Sequence, residues 1–376
     1  MSQEPVSQYT VPTPSSLGSM VLERSQTRQD NIQQLLSALC QRHQLQYDTP
    51  PQKQDVEELL YADQEANRRW SGRVNGFTKL CGWLGKWLPF HDLELLGLLD
   101  FDSLSRVCNY TIGHFLLSSE RPVIPNRYHK LLPKLESIRA QIPIRPEPYR
   151  QQPCTAETAI QRAILCLEEL TPNKKMLFLG DDDLTSVAVA LVAKEKGQEV
   201  DLTVVDLDTA LLENIDKAVK TLGIPIQATV VDLFGPEKAF DTEFDVILAD
   251  PSYEENWVRQ FTEVAIDMLA MNGHYMLCLP HPFGKGWLKD WVEVIEEAKP
   301  LRLLECREAF NEYPMLSTRR KRMGPLFTWF LPVGKSLAEQ YQALPFTYSD
   351  LFIFRKTEEK RPAGTSAPLP SLDTPR

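Results

Sequence analysis

The chain has 376 residues, enough for one large domain or two ordinary ones, and its 43% apolar content can fill a sizeable core. A formal net charge of -10 argues against a general phosphate-binding surface, which would be basic, and suits a chain that attracts cations. The seven cysteines show no CxxC or Cys–His spacing, which leaves reduced thiols as the expectation and no zinc site.

In chain order, residues 1–28 are polar and Pro/Ser-rich and are expected to be disordered. They lack the apolar core of a signal peptide, and no later stretch approaches the roughly 20 apolar residues of a membrane span. "LELLGLLDF" is short enough for a buried helix, so a cytoplasmic protein is expected. Residues 29–145 have helical spacing in "NIQQLLSALCQRH" and "DVEELLYADQEANRRW" and predict a smaller, mainly helical N-terminal domain. The Trp- and Leu-rich stretch that follows reads as its packing surface, with a binding surface as the alternative. A proline-rich stretch, "IPIRPEPYRQQP", marks the boundary, and residues 357–376 read as a disordered tail.

Residues 146–356 read differently. "TAETAIQRAILCLEEL" predicts a helix capped by Thr155, with Thr158 as the alternative cap, and "KMLFLG" a buried strand. "LTSVAVALVAKEKG" and "ALLENIDKAVKTLG" predict helices ending at Gly197 and Gly223, with the strand "EVDLTVVDLD" between them. "IQATVVDLF" and "FDVILADPSY" follow as strands, then the helix "WVRQFTEVAIDMLAMNG" and the strand "HYMLCLP". "GWLKDWVEVIEEAKP" predicts a last helix, and "LRLLECREAF" with "PLFTWFLPV" a closing antiparallel hairpin. The alternation implies an α/β fold: a Rossmann-like methyltransferase-type domain, its sheet mostly parallel and helices on both faces.

Ligands of such sheets bind where strands end. The first strand delivers Gly180, Asp181, Asp182 and Asp183; the second Asp206 and Asp208; the third Asp232; the fourth Asp250, Pro251, Ser252 and Tyr253. Asp206 follows Gly180 at about the interval of a ribose-binding acid, the alternative being a solvated strand-end acid. Asp208 reads as a helix cap. Asp232 is placed either to accept from an adenine amino group or to serve its own turn. "ADPSY" is similar to the [D/N/S]PP[Y/F/W] loop of enzymes that alkylate amino groups, where a polar side chain and a carbonyl hold the attacking nitrogen; the alternative is an ordinary Asp-Pro turn. His281, after the fifth strand, reads as a base or a plain loop histidine. The basic run "STRRKRMG" reads as a solvated loop, with a nucleic-acid or acidic contact as its alternative.

"GDDDLTS" puts three carboxylates where S-adenosylmethionine enzymes place a glycine-rich loop for the donor's methionyl tail. Aspartates there would repel a tail carboxylate and favour a donor that kept only its ammonium. A divalent metal is the rival explanation, ranked lower for want of further ligands, and a helix cap accounts for one aspartate and leaves two.

"TAETAIQRAILCLEEL", "LFLGDDDLTSVAVAL", "TVVDLDTALLENI", "FDVILADP" and "REAFNEY" together resemble the C-terminal domain of the branched-chain polyamine synthase, N(4)-bis(aminopropyl)spermidine synthase, family, over roughly residues 146–315. The resemblance implies transfer of aminopropyl groups from decarboxylated S-adenosylmethionine to spermidine. It places Gly180 to Asp183 in the acidic loop, Asp206 at the ribose, Asp250 and Pro251 at the catalytic strand end, and Glu312 and Tyr313 on the acceptor side. Ser252 and Tyr253 stand where the family has a second proline, and neither "HPFGKGWLKDW" nor the Trp-rich N-terminal region reads as the family's segment. The expected catalytic groups are Asp250, Asp182 and Asp183, with Gly180, Asp181, Asp206 and Asp232 on the co-substrate and Pro251, Ser252, Tyr253, Glu312 and Tyr313 on the polyamine. No metal, nucleic acid or membrane is expected; a homodimer is allowed. The alternatives are an amino-group methyltransferase using S-adenosylmethionine and a non-catalytic relative.

Overall fold

The computed structural model describes residues 124–142, 153–169, 175–223, 225–235, 242–253, 255–281, 300–314 and 344–357, helical pieces at 32–37 and 110–116, and isolated positions elsewhere. The helical turn α1 (Asn126–His129) and helix α2 (Leu132–Arg139) precede α3 (Ala156–Glu169). The sheet region then runs β1 (Lys175–Leu179), α4 (Thr185–Lys196), β2 (Asp201–Asp206), α5 (Thr209–Leu222), β3 (Ile226–Val230), β4 (Phe244–Ala249), α6 (Glu255–Met268), β5 (Leu269–Leu279), β6 (Leu301–Pro314) and β7 (Phe346–Lys356).

The seven strands lie in the order β3-β2-β1-β4-β5-β7-β6. Neighbours from β3 to β5 are parallel, and β7 runs antiparallel to both β5 and β6. This is the expected Rossmann-like sheet with an antiparallel hairpin. Both faces are covered, so the central strands are continuous apolar runs. Met176, Phe178, Val204, Leu248 and Met276 pack under α3, α4 and α5, while Leu177, Leu179, Ile247, Tyr275 and Leu277 pack under α6. Helix α4 is buried from Thr185 to Val192 on every side, which its Ala/Val-rich sequence permits. Tyr128, Leu131 and Leu135, from before the expected boundary at residue 146, belong to the same core.

Several expectations hold at residue detail. Thr155 caps α3, its Oγ1 accepting from the Thr158 N–H at 3.2 Å. Asp208 caps α5 through the amides of Ala210 (2.9 Å) and Leu211 (3.2 Å). Helices α4 and α5 end at Gly197 and Gly223, both with positive φ.

One expectation is corrected. The helix expected to run to Gly273 ends at Met268, and β5 begins at Leu269. Leu269 pairs with Phe244, Asn272 turns at φ 64°, and Gly273 sits where backbone oxygens leave no room for a side chain. β6 pairs antiparallel with β7, residues 346–356, where no strand was expected; the strand expected at "PLFTWFLPV" lies outside the described residues. The two terminal tails, the basic run, the helix "GWLKDWVEVIEEAKP" and most of the N-terminal region also lie outside them. No helix among the described residues is long and apolar enough to cross a membrane.

Candidate active site

The order of strands reverses between β1 and β4, and a crevice opens beyond their carboxyl ends at such a point. Leu179 pairs with Ala249 on β4 and with Val205 on β2. Gly180, Asp206 and Asp250 therefore emerge side by side. Gly180 turns at φ 70° and its N–H donates to Val205 O at 2.8 Å, which brings the chain back over the sheet edge.

The three aspartates after it have three different surroundings. Asp181 is one of the residues expected on the co-substrate. Its carboxylate is buried and turned into the start of α4, accepting from the N–H of Thr185 (2.7 Å), the N–H of Ser186 (3.2 Å) and the Ser186 hydroxyl. Burial pushes it up to about 7 against those bonds. Asp182 is half-buried. Asp183, expected among the catalytic groups, is buried and internally paired, accepting from Arg162 Nη1 and from the Cys154 N–H. Burial would raise its pKa, but Arg162, the Cys154 N–H and Arg139 together hold it below the ordinary carboxylate range.

Arg162 is the residue that the sequence reading missed. It rises from α3, is wholly buried, and is flanked on its helix face by the small residues Thr158, Ala159 and Cys166. Its Nε donates to Asn311 Oδ1 at 2.8 Å and its Nη2 to Asp250 Oδ2 at 2.7 Å and to Tyr313 Oη at 3.0 Å. The available signal was a lone arginine on the apolar face of an amphipathic helix, a position that needs buried partners.

Asp250 Oδ2 also accepts from Tyr313 Oη at 2.7 Å. Burial, reinforced by the charge of Asp183 and partly opposed by Arg162, pushes Asp250 up to about 7. Tyr313 lies 3.2 Å from Ser349 Oγ and accepts from Tyr253 Oη at 3.4 Å, so the Asp250 loop and the hairpin meet here. Pro251 is buried, and Ser252 and Tyr253 are half-buried. Glu312 is buried, and its main chain binds the start of α3: Thr155 N–H donates to its carbonyl at 2.8 Å, and its N–H donates to Thr158 Oγ1 at 3.1 Å. These two bonds tie the outer edge of β6 to α3 at Glu312.

On the other side of Gly180, Asp206 accepts from the amides of Asp208 (2.8 Å) and Asp181 (3.4 Å). Asp232 is exposed and accepts from the N–H of Phe234 in its own turn at 2.9 Å, in line with the turn-acid alternative. Leu207, Val230 and Phe234 are exposed near these acids, with Phe234 edge-on to Trp257 at 4.8 Å. His281 is more than a plain loop residue: its Nδ1 lies 2.7 Å from Asp350 Oδ2, and its ring stacks on Tyr110 at 4.4 Å. Among the described residues no three His, Cys, Asp or Glu side chains cluster as metal ligands would.

Residues 130–361 match the branched-chain polyamine synthase A C-terminal domain family. The N(4)-bis(aminopropyl)spermidine synthase of Thermococcus kodakarensis is 31% identical over 171 residues, 44% of this chain and 46% of that protein. The protein of the same name from Thermus thermophilus is 37% identical over 102 residues, 27% of this chain and 28% of that one. The matched stretches thus span less than half the length of these relatives. The crystal structure of the branched-chain polyamine synthase from Thermus thermophilus, in complex with N4-aminopropylspermidine and 5'-methylthioadenosine, has a TM-score of 0.47 and 22% identity, covering 61% of this chain and 65% of that one. From Lys130 to Arg361, across every strand that builds the crevice, this chain belongs to the branched-chain polyamine synthase A C-terminal domain family.

Proposed function

We propose that the chain is an aminopropyltransferase of polyamine biosynthesis in the cytoplasm, its transferase unit taking in Ile124 and Tyr128, which pack in the sheet core. The donor is decarboxylated S-adenosylmethionine and the acceptor a polyamine such as spermidine. The observation that carries the reading is Asp250: a carboxylate at the mouth of the crevice, beside the Gly180 turn, with a pKa near neutrality. Asp206 takes the ribose hydroxyls, and exposed Leu207 and Phe234 flank the nucleobase. Asp250 aims the acceptor nitrogen, with Ser252, Tyr253 and Tyr313 around it. That nitrogen's lone pair attacks the propyl carbon next to the sulfonium. The C–N bond forms as the C–S bond breaks, the sulfur keeps the electron pair, and methylthioadenosine leaves. The new ammonium passes its proton to Asp250. Little else is needed beyond positioning, because the sulfonium is already a good leaving group.

Purified protein given decarboxylated donor and a panel of polyamines should form aminopropylated product, and Asp250→Asn should lower kcat by about 100-fold or more. Absence of product from every amine would sink the reading. One observation favours a second reading, an amino-group methyltransferase using the carboxylated donor. Asp181 is turned into the start of a helix and Asp183 is paired with Arg162, so two of the three aspartates are engaged within the fold rather than with a tail carboxylate. Calorimetry with the two donors separates the readings: tighter binding of the decarboxylated form supports the first, and of the carboxylated form the second.

A further inference from the structure

The relation of Arg162 to its two carboxylates is asymmetric. Asp183 receives one arm of the guanidinium and the Cys154 amide, and its side chain is 7% exposed. Asp250 receives the other arm on the same oxygen that accepts from Tyr313, and its side chain is 16% exposed, opening toward the crevice. Asn311 and Tyr313 fix the plane of the guanidinium, so it cannot swing wholly to either acid. Two carboxylates this close cannot both ionise freely with one cation between them.

We propose that Arg162 is a positioning residue that divides the labour of these acids: it holds Asp183 as its permanent counter-ion and leaves Asp250 to exchange a proton with the acceptor nitrogen. This rests on the aminopropyl-transfer reading. It also deepens it, because a guanidinium on Asp250 Oδ2 disfavours an ammonium at that oxygen. The nitrogen that attacks therefore enters neutral, and the charged arms of the polyamine lie elsewhere, toward half-buried Asp182. The opposite pKa shifts of the two acids agree with the division. Asp250 faces Arg162 from α3, Asp183 and Cys154 from the loops beside it, Cys278 from β5, Tyr313 from β6 and Tyr253 from its own loop; the two cysteines and two tyrosines are all raised by burial and stay neutral near pH 7.

The test follows the Asp250 carboxyl carbon by NMR through a pH titration of the full-length, unliganded protein, assigned by its loss in Asp250→Asn. Arg162→Gln should move the midpoint up by a pH unit or more, and Asp183→Asn should move it down. The double variant should fall between them, and Arg162→Lys between wild type and Arg162→Gln. Shifts of one sign, or none, would overturn the proposal. Should Arg162→Gln not fold, opposite shifts in Arg162→Lys and Asp183→Asn decide the matter. Because the titration needs no turnover, its success alongside absent aminopropyl transfer would refute the transfer reading and keep the tuning.

Discussion

Adjacent and chemically identical, the three aspartates after Gly180 are distinguished only by what folds against them. Asp181 completes the first turn of α4, Asp183 neutralises a buried arginine, and Asp182 is half-buried at the crevice. The sequence supplied the number of charges and allowed that one would be a cap; which one depended on the direction in which the turn delivers each side chain. Three substitutions should separate them by thermal denaturation and by spermidine binding. Asp181→Ala loses a helix cap and should cost about 1 kcal/mol. Asp183→Asn strands part of a buried guanidinium and should cost about 3–5 kcal/mol. Asp182→Asn should cost less stability than Asp183→Asn while weakening polyamine binding. Equal losses of stability in all three would show that the division is wrong.

The elements were legible wherever one period ran without interruption. The parallel strands are unbroken apolar runs, and the helices between them are closed by caps or glycines, so their ends and their ligand-facing acids could be placed. β7 escaped because Ser349 and Asp350 interrupt "FTYSDLFIFRK", and both are polar for reasons outside the strand: Ser349 meets Tyr313, and Asp350 holds His281. A bulge in β6 between Arg307 and Asn311, with Ala309 at φ 48°, sets the register that brings Asn311 and Tyr313 to Arg162. No period in the sequence announces it. The α6–β5 junction is steric in the same way: a Cβ on Gly273 would lie 2.9 Å from the carbonyl oxygens of both Asp245 and Ala270. Gly273→Ala should therefore destabilise by about 1–3 kcal/mol, read as a lower melting temperature. Co-substrate affinity should hold, because this junction lies at the opposite end of β5 from the crevice. A variant as stable as wild type would mean the junction relaxes freely.

Across the whole molecule, β-α alternation predicted the sheet, and the sheet predicted the edge at which the site would lie. The centre of that site was hidden because it joins segments far apart in sequence: Arg162 on α3, Asp183 after β1, Asp250 after β4 and Tyr313 on β6. This arrangement couples fold stability to pH. Folding raises Asp250 to about 7, so between the ordinary carboxylate value of about 3.9 and that point the folded chain holds a proton that the unfolded chain has released. Stability from this group is greatest at low pH and falls as pH rises through that window. Asp183 has the opposite sign: folding lowers its pKa, so its contribution is present above the ordinary value and is lost only as pH falls below it. Asp250→Asn cannot ionise. Its melting temperature relative to wild type should therefore climb between about pH 4 and 7 and level off above about pH 8, on top of a constant offset from altered pairing with Arg162. A difference that stays flat across the range, or grows toward acid, would place the ionisation cost on some other group and remove Asp250 as the proton-exchanging acid.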